Sequence, residues 1–438
     1  MPNIETTQVD SLKGVTFTTH GWTPYKYLDA RDERHPEFIE GIRIRFTDVF
    51  MDELLLYYWR IQDILHCKAD LFPVGEYLTI DNARLIFRTG PGEWNFSEMG
   101  KWIDELRSRW DKVKQVTRGG VVIIGPAASG KTTILEILRA IGLSDWAVGE
   151  EQESHLACVA REGVEIGSAS FDDEERRYNS LLRFVEEKVR ERLRNNIIHS
   201  ILVRNGVNPV AIGGIVQVVV SVAAYAGMRE IPQEWIWALK MAPFTPQYYL
   251  LPLAQLDERF KRAARDGEPE VTRREGAFMV DGALRHFYDE LIQANILKGV
   301  IYINMDTSEG ILDQLRFLNF SMPGNIDVLQ IINDVRMFLP SVDPAIVISH
   351  IDPKVLVSFM SELNPEKFDG IILILEEALR KLEGKLSLLQ STLPNPDVQE
   401  LFNIIRNGLY NPFLEYLINR VSTMRSLLLL LMQSRIKV

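Results

Sequence analysis

The sequence predicts an α/β protein built on a mainly parallel sheet, with helical segments before, within and after it. Three observations point there. Residues 119–136 read GGVVIIGPAASGKTTILE, in which a β-branched run enters a glycine-bounded loop and leaves as helix-forming sequence. Further apolar runs, at 276–281, 299–304 and 345–352, alternate with helical stretches, as βαβ units require. The length of 438 residues, with 46% hydrophobic and 25% charged residues, suits a globular chain of about two or three domains.

In chain order, residues 1–116 predict a small α+β domain or extension. Runs at 15–19 and 39–46 have strand character. Residues 52–67 place Leu55, Leu56, Tyr58, Trp59, Ile61, Ile64 and Leu65 at helical spacing. Segments 77–80 and 84–87 predict a hairpin around Asp81-Asn82. After the turn Gly90-Pro91-Gly92, residues 96–116 predict an amphipathic helix with Trp102, Ile103, Leu106, Trp110 and Val113 on one face. Aromatic residues so spaced are core, and no reactive constellation stands out in this segment.

Residues 117–355 predict the nucleotide-binding domain. Gly125, Pro126, Ala127, Ala128, Ser129, Gly130, Lys131 and Thr132 satisfy G-x-x-x-x-G-K-[ST] at every fixed position. Glycines at both ends let the backbone turn tightly and aim successive N–H groups at phosphate oxygens. Lys131 is placed to bring an ammonium to the terminal phosphates, and the Thr132 hydroxyl to ligate Mg²⁺. Thr133 continues into a helix whose N-terminal dipole favours the same anion. The motif therefore predicts binding of a nucleoside triphosphate, GTP or ATP, with Mg²⁺.

Around that motif, short strands are expected at 155–160 and 164–170, and the acidic residues 171–175 open a long charged helix reaching about 201. They lack calcium-loop spacing and read as a helix start. Residues from about 176 to 270 predict a helical insertion. Its Arg183, Lys188, Arg190, Arg192 and Arg194 alternate with Glu186, Glu187 and Glu191, the pattern of a solvated face. Residues 210–228 carry no charge and approach the ~20 residues that span a bilayer. Gln217, Ser221 and many small residues favour a buried helix over a membrane contact. Pro232, Pro243, Pro246 and Pro252 then divide the chain into short pieces.

A phosphate loop of this kind takes a second carboxylate from a neighbouring strand end to hold Mg²⁺ through water. Asp281, Asp306 and Asp352 each follow a strand-like run at the expected carboxyl edge. Asp281 is preferred as the metal partner because a turn and a helix follow it at once. This order of elements resembles the P-loop GTPases and, more loosely, the GPN-loop GTPases, over residues 118–140 and 276–355. The resemblance implies that Asp281 matches the Asp of D-x-x-G and that Asp352 matches the Asp that reads guanine. Leu284 stands where D-x-x-G has glycine, Ser349 and His350 stand where N-K-x-D has Asn and Lys, and no GPN tripeptide occurs. Arg285 could serve as an arginine finger in cis, although a surface or salt-bridged arginine is the preferred reading.

Residues 356–438 predict a helical C-terminal segment, with helices at 371–389, 398–409 and 412–436 and a linker at 394–397. Six successive apolar residues, 427–432, exceed one core stripe, so this helix is expected either to be wrapped by the rest of the chain or to meet a protein partner or a second copy. A net charge of -11 and a pI near 5.3 argue against a general nucleic-acid surface. Two cysteines, Cys67 and Cys158, give neither a disulfide framework nor zinc spacing, which favours a reducing compartment. Residues 1–14 lack the apolar core of a secretory signal, so a cytoplasmic location is expected.

Together these features predict a nucleoside triphosphate-binding protein, a Mg²⁺-dependent GTPase or ATPase that acts as a switch or assembly factor. Two alternatives are a phosphoryl-transfer enzyme, in which Lys131 stabilises the moving group and Asp281 accepts a proton, and a binding module that holds nucleotide with little turnover. Residues 299–316 somewhat resemble the strand and following helix of nucleotide kinases, which supports the first of these.

Overall fold

The computed structural model describes residues 36–67, 78–113, 119–126, 128–148, 174–254, 258–259, 261, 277–305, 308–316, 318, 326–391 and 411–436. In chain order the elements are α1 (Pro36–Leu65), α2 (Ile80–Phe87), β1 (Arg88–Gly90), β2 (Glu93–Trp94), α3 (Phe96–Val113), β3 (Gly119–Ile123), α4 (Lys131–Ala140) and β4 (Trp146–Val148). They continue as α5 (Glu174–Arg204), β5 (Pro209–Ile212), α6 (Gly214–Ala226), α7 (Gln233–Met241), β6 (Pro246–Leu253), α8 (Ala277–Gln293), β7 (Val300–Asn304) and α9 (Ser308–Arg316). The chain closes with α10 (Val328–Phe338), α11 (Pro344–Ile348), α12 (Pro353–Ser361), α13 (Pro365–Ser391) and α14 (Asn411–Ile436).

Five strands form one parallel sheet in the order β4-β5-β3-β6-β7, so the fold class is α/β. The first strand of the sheet, β3, lies at its centre, with Val121 opposite Val210 on one side and Tyr248 on the other. All five of its residues are buried, as a strand covered on both faces requires. The strand period of two divides the core cleanly. Val121, Ile123, Val210, Ile212 and Leu250 pack with Ile134, Leu135 and Leu138 of α4 and with Ile311 and Leu315 of α9. Val122, Ala211, Tyr249 and Leu251 face the other way, into a larger cluster running from Phe38 to Leu431.

That larger cluster joins the N-terminal helices to the sheet. Helix α1 packs along α5 and against α7, so the N-terminal segment shares its core with the sheet. Phe46 stacks on Trp235 at 4.0 Å between ring centroids, the Trp235 indole N–H donates to Thr47 Oγ1 at 3.0 Å, and the Tyr58 hydroxyl donates to the Met241 carbonyl at 2.7 Å. The strand expected at 39–46 is part of α1, because Phe38, Ile42, Phe46, Val49 and Phe50 are all buried at helical spacing. The hairpin lies at β1 and β2, later than expected. Thr79 caps α2 by accepting the Asn82 N–H at 3.2 Å, and this helix occupies the residues expected to form the hairpin. The strands expected at 15–19, 155–160 and 164–170, and the helix at 398–409, lie outside the described residues.

The interval 176–270 is also not a helical insertion. It contributes β5 and β6, the two strands that flank β3. Residues 210–228 divide into β5 and α6 at Gly213 and Gly214, whose φ angles of 82° and 63° turn the chain from strand to helix. A Cβ at Gly214 would lie 3.0 Å from Val122 Cγ1. At ~1.5 Å per residue, the 13 residues of α6 extend roughly 20 Å, short of a ~30 Å hydrocarbon core. Among the described residues no helix is long and apolar enough to cross a membrane. In α14, Leu427, Leu428 and Leu431 are buried, whereas Leu429, Leu430 and Met432 are exposed, so the apolar run exceeds one core stripe as expected.

Candidate functional site

Parallel strands place all their carboxyl ends on one edge, and the Gly125–Thr132 sequence leaves the centre of that edge. From β3 the backbone passes Gly125 at φ 140°, Ala128 at φ 55° and Gly130 at φ 100° before α4 begins at Lys131. Ala127 lies outside the described residues. A left-handed alanine costs about 1–2 kcal/mol, and such strain gathers at ligand-binding turns. Gly130 is the N-cap residue and supplies no side-chain cap, which leaves the first-turn amides of α4 without one.

Side chains complete the loop. Lys131 is only 8% exposed, and its ammonium donates to the carbonyls of Gly125 at 3.1 Å and Pro126 at 2.8 Å. Ser129 is buried, and its hydroxyl has no hydrogen-bond partner among the described residues. Thr132 and Thr133 stand exposed in the first turn of α4. The Gly125 N–H donates to Gln217 Oε1 at 2.9 Å; the same oxygen accepts the Tyr288 hydroxyl, and Gln217 Nε2 donates to Ser221 Oγ at 3.2 Å. The loop is thus tied to both α6 and α8.

Among the described residues the neighbouring strand ends carry no carboxylate of the expected kind. Strand β5 runs from Ile212 into Gly213, whose N–H donates to the Ile123 carbonyl at 2.7 Å. Strand β6 ends at Leu253 and continues as Ala254; β7 ends at Asn304 and continues as Met305. Asp306 lies outside the described residues. Among the described residues no group of three or more His, Cys, Asp or Glu side chains could hold a metal.

Asp281 is not at a strand end, because residues 277–293 form helix α8. The buried stripe Leu284, Phe287, Tyr288 and Leu291 has helical spacing, and that period outweighs the short apolar run before it. Since β7 starts at the amino edge, α8 descends toward that edge, and Asp281 lies on its carboxyl-edge portion, seven residues before Tyr288. Arg285 is half-buried on the same helix.

Asp352 lies at the opposite edge. Residues 345–352 are not a strand, because Asp343-Pro344 and Asp352-Pro353 both start helices. Asp343 accepts the Ala345 N–H at 3.0 Å, and Asp352 accepts the Lys354 N–H at 2.8 Å. The Asp352 N–H donates to the Asp145 carbonyl at 2.7 Å, and Ile351 bridges Trp146 at the start of β4. The length of β3, at ~3.3 Å per residue, puts roughly 15 Å between this point and the glycine loop. Replacing Asp352 by Ala is expected to cost about 1 kcal/mol through the lost cap and to leave the ratio of GTP to ATP affinity unchanged. Denaturant melts and paired nucleotide titrations test both, and a changed ratio would return Asp352 to base recognition.

One polar group escaped the sequence reading. Lys188, Glu191, Arg192, Asn195, Asn196 and His199 form a continuous buried stripe along α5, where a solvated face was expected. Lys188 Nζ donates to Glu191 Oε2 at 3.3 Å, Arg192 Nη1 donates to the Ile212 carbonyl at 3.2 Å, and Asn196 both donates to and accepts from the Phe244 backbone. Beside them is a cavity of about 20 Å³, enough for one water, where Asn195 Oδ1 and His199 Nε2 have no partner among the described residues. Burial, helped by the Arg192 charge, pushes the His199 pKa down to about 3. The available signal was Asn195, Asn196 and His199 continuing the charged spacing into 196–204, a stretch too apolar to carry a solvated face.

No protein-family model and no curated protein matches this chain.

Proposed function

We propose that the protein binds a nucleoside triphosphate at Gly125–Thr133 and acts as a Mg²⁺-dependent nucleotide hydrolase, a switch or assembly factor. The observation that carries this reading is the placement of Lys131. Its ammonium rests on the loop carbonyls at the centre of the carboxyl edge, beside the uncapped amino end of α4. The unpartnered Ser129 hydroxyl suits a phosphate oxygen as its partner. For Mg²⁺, Thr132 supplies a hydroxyl, and Asp281 is the proposed carboxylate, contributed from α8 rather than from a strand. The cation would neutralise charge on the terminal phosphates. With Asp352 at the far edge, the proposal carries no preference between GTP and ATP.

Thermal melting with Mg²⁺ and ATP or GTP tests this reading. Ligand at a hundred times its Kd stabilises by about 2.7 kcal/mol, so a raised melting temperature is expected in the wild type and none in Lys131→Ala. Phosphate release distinguishes turnover from binding alone. A wild type that no nucleotide stabilises would remove the proposal.

A further inference from the structure

We propose that Arg192 meets the terminal phosphate of the bound nucleotide and lets the site tell a triphosphate from a diphosphate. This rests on the nucleotide reading of the loop.

Position is the first argument. The Arg192 guanidinium reaches the carboxyl end of β5, bonds the Ile212 carbonyl, and has its Cζ 3.8 Å from where a Cβ on Gly213 would sit. The Gly213 N–H is bonded to Ile123, two residues before Gly125. Gln217 Cβ is 3.7 Å from the same point beside Gly213, and the Gln217 side chain holds the Gly125 N–H. Arg192 and the glycine loop therefore flank one backbone turn at the centre of the carboxyl edge.

Energetics is the second. Arg192 is 6% exposed. A guanidinium has five N–H donors, and a buried one needs close, well-aligned acceptors. Among the described residues its hydrogen-bond and ion-pair partners are one neutral carbonyl and Glu191 Oε1, which lies 3.9 Å from Nε, beyond hydrogen-bond range. Glu191 is itself shared with Lys188. A phosphate at the carboxyl edge would give the guanidinium a charged acceptor, and the planar fork of arginine matches it in two-point geometry. No carboxylate follows Ile212; the next two residues are Gly213 and Gly214. A guanidinium that only fastened Ile212 would not separate triphosphate from diphosphate.

Isothermal titration of the full chain with ATP, ADP, GTP and GDP, each with Mg²⁺, tests the assignment. Wild type is expected to bind triphosphates at least tenfold more tightly than diphosphates. Arg192→Gln should lose that tenfold for triphosphates and stay within twofold for diphosphates, Arg192→Lys should fall between, and Lys131→Ala should lose both ligands. Equal weakening of both ligands in the Arg192 variants, or no weakening, overturns the proposal. So does a wild type with no triphosphate preference, a measurement that stands even where Arg192→Gln fails to fold. A wild type that binds none of the four would instead remove the nucleotide reading beneath it.

Discussion

Lowering the pH from 7 to 5 is expected to destabilise the wild type more steeply than His199→Gln or His350→Gln. His199 is buried and His350 half-buried, and His199 titrates near 3 in the fold, first because of desolvation and then because of the Arg192 charge. His350 is held well below the ordinary value by desolvation, then by Arg420 and Arg139, against an opposing hydrogen bond with the Ala147 backbone. Below the unfolded pKa of about 6.5 the unfolded chain takes up these protons and the folded chain does not. The stabilisation is complete above that value and is lost toward the depressed folded pKa, at about 1.4 kcal/mol per pH unit for each histidine. Burial raises the carboxyl pKa values of Asp52, Glu53, Asp145 and Glu290, and these groups act in the opposite sense. The informative quantity is therefore the difference in slope between wild type and variant in urea melts at pH 7, 6 and 5. Equal slopes would show that the two rings take up protons in the fold.

Trp235→Ala is expected to cost about 3–5 kcal/mol, the range for deleting a large buried aromatic. The indole has no exposed surface, stacks on Phe46 and donates to Thr47. It therefore fastens α1 to α7, immediately before the β6 strand. Because those contacts join the N-terminal helices to the sheet, calorimetry of the variant should still show one transition, at lower temperature. Two transitions, with one at the wild-type temperature, would restore residues 1–116 as a separate domain.

The same contacts explain what the sequence could and could not disclose. The strand, loop and helix at 119–140 were legible because the glycine, lysine and threonine spacing tolerates few other backbones. Strand β7 and helices α3, α13 and α14 were legible from length and period. Runs 39–46, 276–281 and 345–352 misled because a short apolar stretch fits strand or buried helix equally, and the deciding information lay in caps and longer stripes. Strand β5 is four residues long and joins an apolar helix without a polar break. Strand β6 was obscured by its prolines, yet Pro246 is its first residue and Pro252 lies beyond the stretch paired with β3, where a missing N–H costs little. At the candidate site the loop was readable, whereas the buried positions of Lys188, Glu191 and Arg192 were not, because local alternation of charge carries no record of which face a helix turns inward.

The central place of β3 has a consequence for synthesis. Its partners, β5 and β6, arrive at residues 209–212 and 246–253. A ribosome adding roughly 5–20 residues per second needs several seconds between making β3 and making its first neighbour on either side. Throughout that interval an apolar strand has both hydrogen-bonding edges open, and closure across so long a stretch is slow. Newly made chains should therefore depend on protection from aggregation until about residue 250 has left the ribosome.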